Sequence, residues 1–241
     1  MSIEQQYASQ VREQIGLFAT WLPNERIDIG QYGPVNGALF RPEKRLTGVH
    51  ASPAPATATY DFTINADRAI NTEAKALADA GVTSGNVLLE VHFQKEAAVT
   101  FSAPDAVVTR VDDLRALGEK LLALKSAGEW RRGDAIVVEV VTVPRATIIA
   151  SQKSGAEVKF EVAAHTPVSA GVMATLNESN SLRISKGVGA KVIGEGPLTP
   201  LFRLAFLKSH LFKDPTLDYR LGAQPAPPRV ELTAEDYLEV Y

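Results

Sequence analysis

The chain has 241 residues, of which 45% are hydrophobic and 22% charged, a composition typical of a globular protein with a buried core. It contains no cysteine, which excludes disulfide bonds, thiolate catalysis and zinc–thiolate sites. Residues 1–21 are too polar for a signal peptide and no run of 18 apolar residues occurs, so we expect a cytoplasmic protein without a transmembrane helix.

Charge is unevenly distributed along the chain. Residues 100–213 carry 15 Lys and Arg against 11 Asp and Glu, whereas residues 214–241 carry 2 against 6. A mildly basic body is thus followed by an acidic tail. Chance is one explanation for so small an imbalance, and a tail that covers a basic surface is the functional one. The net charge of −3 argues against broad nucleic-acid binding.

The N-terminal segment has the pattern of an amphipathic helix. Apolar residues recur at steps of three and four over residues 2–18, and Ser2 with Gln5 is spaced as a capping box. This apolar face is expected to join the core, with a membrane or a partner as the alternative. A second, shorter helix is predicted over residues 69–80.

The clearest helical pattern covers residues 111–127, where five apolar residues share one face. Asp112 and Asp113 at its start complement the helix dipole, and Gly128 is a natural stop signal. A closing helix is predicted over residues 232–240.

Short apolar or alternating segments predict strands elsewhere. They cover residues 38–40, 57–63, 87–93, 97–101, 135–143, 146–151, 157–162, 168–174, 182–185, 191–193 and 202–207. A hairpin around Lys95 and Glu96 is expected to join two of them, and Pro144 is expected to interrupt another. Together these elements predict an α+β fold, with a twisted, mainly antiparallel sheet, one long helix and an N-terminal amphipathic helix.

The chain divides near its C-terminus. Residues 222–229 are rich in proline and alanine, which is typical of a linker. We therefore expect a single α+β domain over residues 1–221, followed over residues 222–241 by the linker and a short acidic helix.

The sequence contains no recognisable catalytic motif. Its histidines are not at metal-ligand spacing from one another, and neither Gly-x-Ser-x-Gly nor Ser-x-x-Lys occurs. The glycines of residues 187–191 favour a turn over a phosphate-binding loop. We expect no catalytic residue, cofactor or metal, although an enzyme with a site built from scattered residues is an alternative.

A basic pair beside an aromatic residue is a candidate surface for lipid headgroups or a partner. Arg131 and Arg132 follow Trp130. Alternatively, Trp130 packs beneath the strand that follows and both arginines are solvated. Lys153 and Lys159 are further candidates for membrane or partner contact.

Over residues 86–207 the predicted order is strand, strand, long helix and then a series of strands. This order, and the apolar strand at residues 135–141 in particular, resembles the pore-forming domain of gasdermins. The segment after residue 221 resembles the short autoinhibitory tails of bacterial gasdermins. The resemblance covers about half the chain. Bacterial gasdermins often carry a lipidated cysteine near the N-terminus, and this chain departs from them in having none.

The resemblance implies a membrane-permeabilising protein that proteolysis activates. An activating protease would cut the linker near Arg220 and Leu221, and the tail with Leu232, Tyr237 and Leu238 would leave. The protein would then bind a lipid membrane and assemble with further copies of itself. Strands near residues 97–101 and 157–162 would extend into membrane-inserting hairpins. The alternative is a non-enzymatic interaction or scaffold module, which is oligomeric and whose tail docks on a partner.

Overall fold

A computed structural model describes residues 2–21, 25–64, 66–70, 86–96, 98–163, 181–186, 188–207 and 238–240. Over these residues the chain is an α+β protein with two helices, and every strand pair is antiparallel. The fold class predicted from the sequence is confirmed.

Helix α1 spans Ile3–Ile15, and its ends follow the predicted signals. The Ser2 hydroxyl accepts a hydrogen bond from the Gln5 amide at 3.2 Å, and the Gln5 side chain accepts one from the Ser2 amide at 3.1 Å. This capping box satisfies amide groups that have no partner within the helix. Gly16 ends the helix with φ 71°, a left-handed conformation that favours glycine.

Helix α2 spans Leu114–Ser126. Asp113 is its N-cap, and its carboxylate accepts a hydrogen bond from the Ala116 amide at 2.9 Å. Gly128, just beyond the C-terminal end, has φ 74°. The helix is therefore shorter than the predicted range because residue 111 ends the preceding strand, while both predicted boundary signals are in place.

The strands within the described residues are β1 (Phe18–Ala19), β2 (Gln31–Asn36), β3 (Leu39–Phe40), β4 (Lys44–Arg45), β5 (Ala51–Pro53), β6 (Ala58–Ile64), β7 (Ala66–Ile70), β8 (Asn86–Phe93), β9 (Val99–Val111), β10 (Asp134–Ser151), β11 (Ala156–Ala163), β12 (Ser181–Lys186), β13 (Val188–Leu207) and β14 (Leu238–Val240).

These strands form two sheets. In the larger, β10 pairs with β13, β9 and β2; β9 also pairs with β5 and β6, and β13 with β1 and β14. The smaller sheet has the order β12-β11-β8-β7. Helix α1 packs on one face of the larger sheet through Tyr7 and Val11, and α2 packs on it through Leu117 and Leu121.

Four stretches of chain pass through both sheets, and we call them the four long runs. They are β6–β7, β8–β9, β10–β11 and β12–β13. The order of the runs is the same in both sheets, because β6, β9, β10 and β13 pair in sequence in the larger sheet and β7, β8, β11 and β12 do so in the smaller. The smaller sheet is therefore a continuation of the larger one across an interruption in the strand pairing.

The two inner runs, β8–β9 and β10–β11, each cross this interruption with five residues. Phe93 pairs with Ala156 on one side and Val99 with Ala150 on the other, so residues 94–98 face residues 151–155. In the two outer runs, β6–β7 and β12–β13, a single residue separates the two strands. We call this zone the crossing.

The hairpin predicted around Lys95 and Glu96 is wrong. The two flanking strands, β8 and β9, do not pair with each other but with β11 and β10 respectively. They follow one another in the same run, since residues 94–98 carry the chain from one sheet to the other. The prediction failed because a short polar segment between two strands is compatible with either geometry.

The predicted break at Pro144 is also wrong, because β10 continues through it. Pro144 is exposed and has no ladder partner in β9 or β13. The missing amide of proline therefore removes no hydrogen bond from the sheet. Likewise, β13 runs as one strand through Gly189, Gly194 and Gly196, so the turn predicted at residues 187–191 is wrong for residues 188–191.

Two predicted helices are contradicted where the structure describes them. Ile70 lies in β7, and Leu238 lies in β14. Each pairs with a neighbouring strand, and this non-local pairing overrides the local helical pattern. The rest of both predicted helices, the strand predicted over residues 168–174 and the linker over residues 222–229 lie outside the described residues.

Candidate functional site

The crossing is held together by two serines. The Ser151 hydroxyl accepts a hydrogen bond from the Ala98 amide at 3.0 Å and donates one to the Lys95 carbonyl at 2.9 Å. The Ser154 hydroxyl donates to the Gln94 carbonyl at 3.0 Å. These bonds join the described residues of the two inner runs across the crossing.

Next to the crossing, one face of the larger sheet is apolar. Val99, Phe101 and Ala103 of β9 and Ala146, Ile148 and Ala150 of β10 are all fully buried in one cluster. Phe62 of β6 stacks on Phe101, with ring centroids 4.9 Å apart. This face packs against α1, and it extends over three neighbouring runs.

The opposite face of the same strands carries hydroxyl groups. Thr100, Ser102 and Thr147 are fully buried, and their hydroxyls have no hydrogen-bond partner in the described part of the chain. Ser102 and Thr147 lie directly opposite one another in the β9–β10 ladder, and Ile149, opposite Thr100, interrupts the row. We call Thr100, Ser102 and Thr147 the hydroxyl row.

Beyond the crossing the same alternation continues into the smaller sheet. Val91 and Phe93 of β8 and Ala156 and Val158 of β11 are buried, whereas His92 between them is exposed. His92 is paired in the ladder with Asp67 on one side and with Glu157 on the other, and Glu157 is paired with Lys186. The inner runs thus alternate between apolar and polar positions on both sides of the crossing.

A buried carboxylate lies farther along the larger sheet. Glu139 of β10 is 5% exposed and pairs with two cross-strand arginines, Arg110 of β9 and Arg203 of β13. The Arg203 Nε lies 3.5 Å from the Glu139 Oε1. Tyr60 lies nearby, and its pKa is raised by burial and, to a lesser extent, by the negative charge of Glu139. This cluster links three strands electrostatically.

Trp130 does not form an exposed membrane contact, so that interpretation is wrong. Its ring is buried and stacks on Tyr32, with centroids 5.6 Å apart, which confirms the alternative that it packs within the fold. Arg131 is exposed but pairs with Glu43 and with Asp134. The hydrogen bond that Arg131 donates to Glu43 is the main cause that raises the pKa of Arg131, followed by the negative charge of Asp134. Arg132 is exposed.

The other predicted site residues lie elsewhere. Lys153 is exposed at the crossing, and Lys159 lies in β11 opposite Glu90 and Ile184. Both are at the far end of the β10–β11 run from the Trp130–Arg132 segment, so these candidates do not form one patch. Leu238 lies in β14 opposite Leu207. Arg220, Leu221, Leu232 and Tyr237 lie outside the described residues.

Three open clefts are present around the described residues. One of about 210 Å³ is lined by Glu43, Lys44, Glu129, Arg131 and Asp134. Its charged groups pair with one another, as Lys44 Nζ does with Glu129 at 3.8 Å. The other two, of about 320 and 90 Å³, lie beside Trp21 and Lys120 respectively. No group of three or more His, Asp or Glu among the described residues is arranged to hold a metal ion.

The hydroxyl row was not identified from the sequence. The alternation Val99-Thr100-Phe101-Ser102-Ala103 is visible there, but the predicted strand ended at residue 101. The burial of both faces depends on elements that are distant in sequence, so no local pattern reveals it.

Within the described residues, no helix is long and apolar enough to cross a membrane. No family model matches the chain, and a comparison with curated proteins finds no match either. The functional argument therefore depends on the geometry of the sheets.

Proposed function

We propose that the chain is a membrane-permeabilising protein, held inactive by its C-terminal segment and released by proteolysis in the linker near Arg220 and Leu221. The observation that carries this proposal is the arrangement of the four long runs. Consecutive runs are antiparallel and paired, so the first two form one long hairpin and the last two form another. Helix α2 lies between the hairpins in the chain.

The length of the runs favours this function. The β8–β9 run covers 26 residues and the β10–β11 run covers 30, whereas a strand that crosses a bilayer needs only about 9–11 residues. Lipid offers no hydrogen bonds to the backbone. On either side of the crossing the β8–β9 and β10–β11 runs already pair with each other, so they would enter a membrane with this pairing in place.

The alternation of side chains also favours it. A membrane-inserted strand presents apolar residues to lipid and polar residues to water at alternate positions. In β9 and β10 one face is entirely apolar from Val99 to Ala103 and from Ala146 to Ala150, whereas the hydroxyl row lies on the other. Lys153 and Lys159 flank this region and would contact anionic headgroups.

Self-assembly would use the edges of the smaller sheet. Among the described residues, β7 pairs only with β8, and β12 only with β11. A free edge offers unpaired amide and carbonyl groups to another strand. Because β7 and β12 run in opposite directions, β7 of one copy can pair in antiparallel fashion with β12 of the next. Such a head-to-tail contact generates a ring when the rotation between successive copies closes.

The C-terminal segment occupies an edge of the larger sheet. Leu238, Glu239 and Val240 pair with Leu207, Phe206 and Ala205 at the end of the fourth run. A strand of three residues contributes few hydrogen bonds, so the binding of β14 to β13 depends on their being part of the same chain. Cleavage of the linker would remove the tether, and the strand would dissociate.

The test is dye release from vesicles of phosphatidylglycerol and phosphatidylcholine. A specific protease site is placed between Arg220 and Leu221, and full-length protein is compared before and after cleavage. We expect release only after cleavage, and inhibition when a peptide of residues 232–241 is added in excess. The same protease added to protein without the inserted site is the control. Absence of release from cleaved, folded protein would refute the proposal.

The alternative of an interaction or scaffold module is favoured by the same C-terminal strand. The edge of β13 that accepts β14 would equally accept a strand of similar length from a partner. In that case the cleaved protein binds the peptide of residues 232–241 but leaves the vesicles intact, so one experiment separates the two functions.

A further inference from the structure

The hydroxyl row stands out because of what its members do not contact. Buried hydroxyls in folded proteins almost always bond to protein or water, and the Ser151 hydroxyl, also fully buried, makes two such bonds. Thr100, Ser102 and Thr147 make none within the described residues. The described part of the fold thus provides no hydrogen-bond partner for three polar groups of one sheet region.

The opposite face of the same strands is apolar. Phe101 lies between Thr100 and Ser102 in the sequence, and Ile148 follows Thr147; both are buried in the apolar cluster that includes Tyr7. A single sheet region therefore has one apolar face and one face whose hydroxyls make no hydrogen bond within the described residues. Such a sheet suits a boundary between an apolar medium and water.

On the basis of the proposed function, we propose that the hydroxyl row lines the water-filled channel of the membrane-bound assembly. The face of Phe101 and Ile148 then meets the acyl chains. In this state each hydroxyl bonds to water, and Asp61 of β6, which lies opposite Ser102, adds a carboxylate to the same face. Movement of this face into water supplies hydrogen bonds that the described part of the uncleaved protein does not provide.

The position of the row supports this assignment. Ser102 and Thr147 lie opposite one another on the two inner runs, so the row crosses from the first hairpin to the second. A surface that lines a channel has to continue from strand to strand, and this one does so through Asp61, Ser102 and Thr147, whereas Ile149 interrupts it opposite Thr100. Thr63 of β6, opposite Thr100, extends it to the first run.

The absence of cysteine from the chain allows a direct test with single-cysteine variants. Ser102→Cys and Thr147→Cys probe the hydroxyl row, and Ala103→Cys and Ile148→Cys are matched controls one residue further along each strand. Each variant carries the inserted protease site and is treated with a cationic, membrane-impermeant methanethiosulfonate, before cleavage and after cleavage on phosphatidylglycerol-containing vesicles. The modification rate and the dye release are both measured.

We expect modification at Ser102→Cys and Thr147→Cys to be at least tenfold faster after cleavage on vesicles than before, with no increase at the two controls. Release by the cleaved protein without this difference between the faces would overturn the assignment and leave the proposed function intact. Absence of release would overturn both. If Thr147→Cys does not fold, as judged by its melting temperature, Thr100→Cys probes the same face.

Discussion

Tyr7 combines complete burial with a hydroxyl that has no partner in the described structure. Its ring packs edge-on against Trp21, at 5.8 Å between centroids, so the contribution of Tyr7 to the core is apolar. Burial disfavours the charged phenolate and raises the pKa of Tyr7 well above its ordinary value of 10.0.

Tyr7→Phe is therefore expected to preserve or increase stability. At pH 7 we expect a free energy of unfolding equal to that of the wild type or up to about 1 kcal/mol higher, because an unbonded hydroxyl is removed. Above pH 10 the unfolded chain loses the tyrosine proton and the folded chain keeps it, so wild-type stability falls by up to about 1.4 kcal/mol per pH unit for this group. Urea denaturation between pH 7 and 11 should show a smaller decline for the variant. A loss of stability at pH 7 would mean that the hydroxyl has a partner.

Unlike the Tyr7 hydroxyl, the buried Glu139 side chain contributes to stability through its charge. It faces Arg110, which is 64% exposed, and Arg203, which is 16% exposed. Glu139→Gln leaves Arg203 partly buried without a counter-ion, and we expect a loss of about 2–4 kcal/mol in the free energy of unfolding. The matched control is Arg110→Gln, because the Arg110 side chain is exposed and screened by solvent and its loss leaves Glu139 paired with Arg203. We expect this variant to cost less than about 1 kcal/mol. Equal losses would contradict this account.

Sequence patterns identified the elements that have local signals and missed those that depend on residues far away in the sequence. The cap at Ser2 and the acidic start of α2 at Asp112 and Asp113 were predicted because these residues are adjacent to their helices in the sequence. The pairing of β8 with β11 joins residues more than 60 positions apart, and no local signal distinguishes it from a hairpin with β9. The hydroxyl row was missed for the same reason, as its burial comes from elements that pack from elsewhere.

The crossing is the element on which the continuity of the inner runs depends. Ser151→Ala removes two hydrogen bonds and leaves the buried amide of Ala98 unbonded. We expect a loss of about 1–3 kcal/mol in the free energy of unfolding, measured with urea. Ser154→Ala is the control, because this serine is exposed and makes one bond, to the Gln94 carbonyl. Water replaces that bond, so a cost similar to that of Ser151→Ala would argue against a special role for Ser151.

At the scale of the whole molecule, the fold is two long hairpins beside a body formed by α1, α2 and the short strands. The fourth run continues past the crossing to Leu207, where β14 covers its edge. The C-terminal strand thus contacts the same run that forms part of the second hairpin. If the C-terminal strand restrains the hairpins, it does so through this edge. A covalent link between β14 and β13 should therefore keep the protein in its inactive form.

A reversible covalent bond between β13 and β14 tests this restraint. Leu207 and Leu238 are directly opposite in the ladder, and antiparallel partners have Cα atoms about 4.5–5.5 Å apart, within the range of a disulfide. Leu207→Cys with Leu238→Cys should therefore form one in this cysteine-free chain. After linker cleavage, we expect vesicle dye release to be absent while the bond is oxidised and to appear on addition of a reductant. Each single variant should release dye on cleavage with or without reductant, because neither can form the bond. Release by the cleaved, oxidised double variant would show that membrane activity does not require the tail strand to leave β13.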